Sequence, residues 1–217
     1  MNLEQARFNM IEQQIRPWDV LDAEVLRLLS VVKREDFLPL AHKALAFADM
    51  EIPLGHGQCM LAPRVEARML QDAAIQPHEK VLEIGAGSGY MAALMAQQAQ
   101  RVITLEIKPA LADMARANLQ KSGVTNVEVQ VFDGAKGTSA EAPFDVIVLS
   151  GSVAEVPHNL LTQLKRGGRL VAIVGNEPVM RATVITRHSD TSYTTVQPWD
   201  TVAPRLLNFP EPSHFKF

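Results

Sequence analysis

Cysteine is almost missing: Cys59 is the only one in 217 residues. A single thiol excludes an intramolecular disulfide and suits a reducing compartment, so a cytoplasmic protein is expected. No apolar run approaches the ~18 residues that would suggest a membrane span. The opening stretch, MNLEQARFNMIEQQIRPWDV, carries acids and amides where a secretory leader would need an apolar segment. Charge of one sign is also lacking: the formal net charge is -3, with both signs mixed and no Lys/Arg stripe. A nucleic-acid phosphate backbone is therefore not an expected partner. The histidines (His42, His56, His78, His158, His188 and His214) are scattered, without HExxH or clustered ligand spacing, so no metal is expected.

What remains is ordinary globular composition, 47% apolar and 21% charged. The length suits a single unit, residues 1–217, with N-terminal helices and a cap loop over 1–62 and an α/β core over 63–217. The first third has helical spacing. Ala6, Met10, Ile11 and Ile15 predict a helix over 3–15, and Val25, Leu26, Leu28, Leu29 and Val32 a second one between Asp22 and Lys33. IPLGHGQ, 52–58, gathers proline and glycine and reads as an ordered loop. Pro63 suits the first turn of a helix that turns Val65, Met69, Leu70 and Ala73 inward.

From Lys80 the pattern alternates. Strands are predicted at 81–84, 101–106, 126–132, 144–150 and 170–175, with helices after the first and second, a short one at NLLTQL, and a turn at KRGGR. Such alternation implies a parallel sheet. ATVITRH (182–188) and SYTTVQ (192–197) are separated only by SDT and read as an antiparallel hairpin. A parallel sheet closed by a hairpin resembles the Rossmann-like, seven-stranded plan of S-adenosylmethionine-dependent methyltransferases, which is the fold expected here. The tail from Pro204 to Phe217 is expected to be extended and packed on the surface.

Gly85, Gly87 and Gly89 follow the first of these strands and open a helix, which lets backbone N–H groups approach a ligand at the sheet edge. The spacing is G-x-G-x-G, not the dinucleotide G-x-G-x-x-G. A short-chain dehydrogenase would also need Tyr-x-x-x-Lys, but Tyr90 and Tyr193 are followed four places on by Leu94 and Gln197. Three acids stand at successive strand ends. Glu83 is placed to hold a methionyl group, Glu106 to hydrogen-bond ribose hydroxyls, and Asp133 with Gly134 to meet an adenine; Ala86 and Ile107 complete the cofactor set. Any one acid alone would serve equally as an exposed strand end or a helix cap, and a glycine loop alone as a tight turn.

These motifs together resemble the protein-L-isoaspartate O-methyltransferase family over nearly the whole chain. VKREDFLP (32–39) is similar to its Val-Pro-Arg-x-x-Phe-Val-Pro signature, AFADMEIPLGHGQ (46–58) to AYxDxPLPIGxGQ, and VLEIGAGSGY to VLEIGTGSGY. FDG (132–134), APFDVIVLS (142–150) and LKRGGRLVAIVG (164–175) fit as well. The resemblance implies S-adenosylmethionine as cofactor and isoaspartyl carboxylates of damaged proteins as acceptors. It also implies that a substrate peptide lies between the 52–61 loop and the turn after the fourth strand. That places Ile52, His56, Gln58, Met60, Ser150 and Gly151 on the substrate side.

The chain departs from the family where the pattern is GQTISQP and these residues are GQCMLAP. Cys59 and Leu61 stand at reaction-centre positions that carry hydroxyls in the family, and Leu61 neither donates nor accepts. Backbone amides near 59–61 and 150–152 would then have to replace the missing donors. No basic partner for Cys59 is recognisable, so it is not read as a nucleophile. Two other functions stay open: methylation of a different acceptor with Met60 and Leu61 lining the pocket, or a non-catalytic S-adenosylmethionine-binding module.

Overall fold

The computed structural model describes residues 2–211. Helix α1 (Leu3–Met10) starts at Asn2, whose side chain accepts from the Glu4 and Gln5 amides. The helix expected over 3–15 keeps α geometry only to Met10, then widens into a π turn (Ile11–Ile15) and a 3₁₀ turn (Arg16–Trp18). Pro17, with no N–H for the α ladder, lies just beyond the widened turn. Met10, Ile11 and Ile15 are still buried. Helix α2 (Ala23–Val31) is capped by Asp22 and buries Val25, Leu26, Leu28 and Leu29.

Residues 52–58, expected as a loop, instead enter a hairpin. Strand β1 (Ile52–Gly55) pairs antiparallel with β2 (Gln58–Met60). The turn depends on left-handed backbone at Gly55, His56 and Gly57, which is why glycines flank it. Helix α3 (Pro63–Ala73) follows, with proline in its first turn.

The centre is a seven-stranded sheet. Strand β3 (Lys80–Ile84) leads to helix α4 (Tyr90–Ala96), β4 (Arg101–Glu106), helix α5 (Pro109–Lys121) and β5 (Val127–Val131). Then come β6 (Phe144–Val153), the short helix α6 (His158–Leu161), β7 (Leu164–Asn176), β8 (Val179–Arg187) and β9 (Tyr193–Thr201). The order is β5-β4-β3-β6-β7-β8-β9; β3 to β7 are parallel, and β8 and β9 join antiparallel. The predicted parallel sheet with a C-terminal antiparallel hairpin is what forms. KRGGR, expected as a turn, lies inside β7, with a register shift against β6 between Phe144 and Val146.

Both faces of the sheet are covered. Period-two alternation sends Val81, Val102, Val146 and Val171 into the core shared with the N-terminal helices, α3 and α4. Leu82, Ile84, Ile103, Ile147 and Leu170 enter the core on the other side. Burial on both faces explains why the central strands read as continuous apolar runs. Arg169 locks α3 to the sheet, donating to the Ala73 carbonyl at 2.5 Å and to Glu79 at 2.8 Å. Among the described residues no helix is long and apolar enough to cross a membrane.

Candidate functional site

From β3 the chain goes to β4 on one side and, later, to β6 on the other. That switch opens a crevice at the C-terminal strand ends, the usual ligand position in such sheets. The glycine loop lies there. Gly85 and Gly87 have φ of +95° and +51°, backbone that L side chains rarely adopt. The Gly85 amide donates to Leu105 O at 2.9 Å, and the Gly87 amide to Glu106 Oε2 at 2.9 Å. Glu106 Oε1 accepts from the Lys108 amide at 2.9 Å. Glu106 therefore fixes the loop against β4 as well as facing the crevice. Gly89, counted in sequence with the cofactor set, lies away from the cavities; a methyl group added there would stand 3.2 Å from the Ala115 backbone. Its smallness serves the approach of α4 to α5.

Two cavities meet at Gly85. The first is lined by Glu83, Gly85, Ala86, Gly87, Ser150 and the cap residues Leu54, Cys59, Met60 and Leu61. Glu66, Ser88, Tyr90 and Met91 complete its wall. The second is lined by Gln58, Glu106, Ile107, Asp133 and Gly134, with Leu206, Leu207 and Phe209. Gln58, expected on the substrate side, thus stands with the nucleoside-side acids. Ile52 and His56 line neither cavity. Ile52 is buried opposite Met60, and His56 is exposed at the hairpin tip.

Glu83 is fully buried. It shares a sheet face with Thr104, whose hydroxyl donates to Oε2 at 2.6 Å, while the Ser150 hydroxyl donates to Oε1 at 2.7 Å. Burial pushes this carboxyl up to about 7, against the two hydroxyls, with Glu66 and Glu106 adding to the rise. Thr104 went unread in the sequence because a lone hydroxyl in RVITLE looks like strand propensity; only pairing of Glu83 with Thr104 in the ladder reveals it. Asp133 caps a 3₁₀ turn at Gly134, accepting from the Ala135 amide at 3.2 Å and from Asn208 Nδ2 at 3.1 Å.

The cap is held by a buried cation from the VKREDFLP stretch. Arg34 is fully buried, pairs with Glu66, donates to the Leu61 carbonyl at 2.6 Å and stacks on Tyr90 with 5.1 Å to the ring centre. Burial raises Glu66 to about 7 in spite of the guanidinium. Cys59 is half-buried with Sγ 3.8 Å from Glu51 Oε2; burial, with Glu51 beside it, pushes the thiol up to about 11. It is a thiol, not a thiolate, at neutral pH. Leu61 turns its side chain into the buried cap rather than offering a polar group.

The described part of the tail packs on the surface as expected: Leu207, Asn208, Pro210 and Glu211 are exposed, and Phe209 is buried. Residues 204–206 run beside the end of β6: Ser152 N–H donates to Pro204 O at 2.7 Å, and Leu206 N–H to Ser152 O at 2.9 Å. Leu206 and Phe209 pack against the core under the sheet. Residues 212–217 of that expectation lie outside the described residues.

The crevice suits an adenosyl amino acid on this geometry. Glycines bring the backbone to a point between two cavities, one beside a buried carboxylate and the other beside two acids at strand ends. Comparison with known proteins points the same way. Relatives named protein-L-isoaspartate O-methyltransferase occur in Methanoculleus marisnigri, 44% identical over 78% of this chain and 77% of that one. The one in Syntrophobacter fumaroxidans is 42% identical over 81% of this chain and 82% of that one. The fold is shared, at 19% identity and a TM-score of 0.76, with a Plasmodium falciparum beta-aspartate methyltransferase in complex with S-adenosyl-L-homocysteine; the match covers 94% of this chain and 99% of that one. The model of the family Protein-L-isoaspartate(D-aspartate) O-methyltransferase matches residues 5–202, and the chain belongs to that family.

Proposed function

We propose that this protein is an enzyme that binds S-adenosylmethionine in the paired cavities and methylates isoaspartyl carboxylates of damaged proteins. The observation that carries the reading is the meeting of both cavities at Gly85, with Glu83 on one side and Glu106 and Asp133 on the other, in a chain of this family. When bound, the cofactor supplies an electrophilic methyl group on a sulfonium. The residues of this chain position and exclude water. Glu106 and the Gly87 amide hold the loop, and Leu54, Met60 and Leu61 make an apolar cover over the first cavity. A carboxylate acceptor, with a reference pKa of about 4, is ionised at neutral pH and needs no base. Catalysis then rests on alignment, worth up to roughly 7–11 kcal/mol in well-oriented systems, and on a dry site.

One amide expected to hold the acceptor, that of Ser152, is committed to Pro204, and the hydroxyl of Ser150, a residue expected on the substrate side, is committed to Glu83. With Leu61 apolar as well, this site offers an acceptor carboxylate fewer hydrogen bonds than the family pattern would. The same observation favours a second reading, an acceptor of another class seated against Met60 and Leu61. We place the protein in the cytoplasm on its single, reduced thiol, and treat residues 1–217 as one unit.

The test is methyl transfer to paired isoaspartyl and aspartyl peptides. We expect ester on the isoaspartyl peptide alone, and a kcat/KM about tenfold or more higher in Leu61→Ser, because sites built around a substrate hydrogen bond discriminate strongly. Silence of both proteins toward isoaspartyl peptide, with S-adenosylhomocysteine still bound, selects the second reading.

A further inference from the structure

Leu206 lines the second cavity beside Gly85, the residue that both cavities share. A methyl group added at Gly85 would lie 2.9 Å from Leu206 Cδ2, and one added at Gly151 would lie 2.8 Å from its Cγ. Gly85 begins the turn after β3, and Gly151 lies near the end of β6. The leucine is therefore wedged across the switch-point crevice between the two strands. An elongated ligand with a nucleoside at one end and an amino acid at the other would have to pass this point to fill both cavities.

The wedge is held by its own anchors. The Leu206 N–H donates to the Ser152 carbonyl, and the Pro204 carbonyl two residues earlier accepts from the Ser152 N–H. Arg205 donates to Gly175 O at 2.8 Å, to Asn176 Oδ1 at 2.5 Å and to the Ser152 hydroxyl at 3.3 Å. Beyond it, Asn208 donates to Asp133 Oδ2, so a strand-end acid on the nucleoside side is engaged by the tail. Asn208 itself takes a left-handed φ of +64°, which turns the chain back toward the crevice.

We infer that the segment Pro204–Phe209 is a strap that closes the cofactor crevice, with Leu206 against Gly85 and Asn208 on Asp133, and that an adenosyl ligand binds only as the strap withdraws. The strap makes the crevice self-filling: apolar surface at Gly85 and Gly151 is covered by leucine until the ligand replaces it. Affinity is then reduced by the fraction of molecules in which the strap is closed, and relieved by whatever loosens it. The inference rests on the crevice being the adenosyl site.

The experiment uses the full chain and S-adenosylhomocysteine, followed by calorimetry, by stopped-flow association and by amide hydrogen exchange. Leu206→Ala is expected to bind about fivefold to tenfold tighter than the parent, through faster association. Asn208→Ala is expected to shift the same way and by less. In the parent, exchange at the Leu206 and Ser152 amides is expected to quicken when ligand is bound. Unchanged or weaker binding by Leu206→Ala, or slower exchange at those amides, overturns the strap and leaves the cofactor assignment standing. Absence of binding in parent and variants alike overturns both.

Discussion

Glu83 shows how one residue can carry two demands. It must sit at the rim of the cofactor crevice, yet alternation along β3 buries it beside Val81 and between the neighbouring strands. The fold answers with the Thr104 and Ser150 hydroxyls, and even so burial holds the carboxyl at about 7. A carboxyl that titrates higher in the folded state than in the unfolded chain binds more protons when folded. Its contribution to stability is complete below the unfolded value of about 4.3 and is lost as pH rises through 7. The loss amounts to at most a few kcal/mol, since each unit is worth about 1.4. The melting temperature of the ligand-free protein should therefore fall between pH 5 and pH 8. Glu83→Gln should flatten part of that fall, leaving the share due to Glu66, which burial also raises to about 7. A melting profile as steep in the variant as in the parent would show that Glu83 is ionised in the fold throughout. The position of Glu83 was legible in the sequence because it directly precedes a glycine loop. Its partners were not, since a threonine on another strand becomes a neighbour only through register.

At the scale of elements, the alternating segments were the readable part. Continuous apolar runs located the central strands, and the helix expected after the second of them is α5. Composition located the turns but not their extended flanks. IPLGHGQ has the composition of a loop, and left-handed backbone at Gly55, His56 and Gly57 makes its tip a hairpin turn, with Ile52–Gly55 and Gln58–Met60 paired on either side. At KRGGR the ladder against β6 breaks between Leu164 and Arg169 and Gly167 takes a left-handed φ of +82°, so the turn is present within the span of β7. Tertiary pairing extends the chain around both turns. The cap is attached to the core by Arg34, which reaches from the segment after α2 to Glu66 on α3, the Leu61 carbonyl and the Tyr90 ring. Arg34→Leu leaves a carboxylate buried without its cation, and should cost about 3–5 kcal/mol in urea unfolding. Arg34→Leu with Glu66→Leu removes both charges and should recover most of that loss, because hydrophobic replacement of a buried pair is often neutral. If the double variant is as unstable as the sum of the singles, the pair is not coupled, and the cap is held by its apolar contacts.

For the molecule as a whole, the strand order decides where function can lie. The only reversal of direction in the parallel part, between β4-β3 and β3-β6, puts the crevice beside Gly85. The antiparallel addition of β8 and β9 sends the chain back across the sheet, so that residues beyond Thr201 reach the same edge. No local pattern in VAPRLLNF announces this, because its meaning depends on where the last strand ends. The consequence is thermodynamic. A ligand that binds only the folded state raises stability by about 2.7 kcal/mol at a hundred times its Kd, and a chain of this length gains roughly 2–4 °C per kcal/mol. S-adenosylhomocysteine at that excess should raise the melting temperature by roughly 5–10 °C. The strap divides this effect unequally. Leu206 packs against the core only while the crevice is its own, so Leu206→Ala should lower the melting temperature of the ligand-free protein more than that of the saturated complex. At equal ligand concentration the rise should thus be larger in the variant, and a tenfold gain in affinity corresponds to about 1.4 kcal/mol of that difference. Equal drops in the free and bound proteins would mean that the leucine keeps its contacts in both, as a fixed wall of the pocket rather than its competitor.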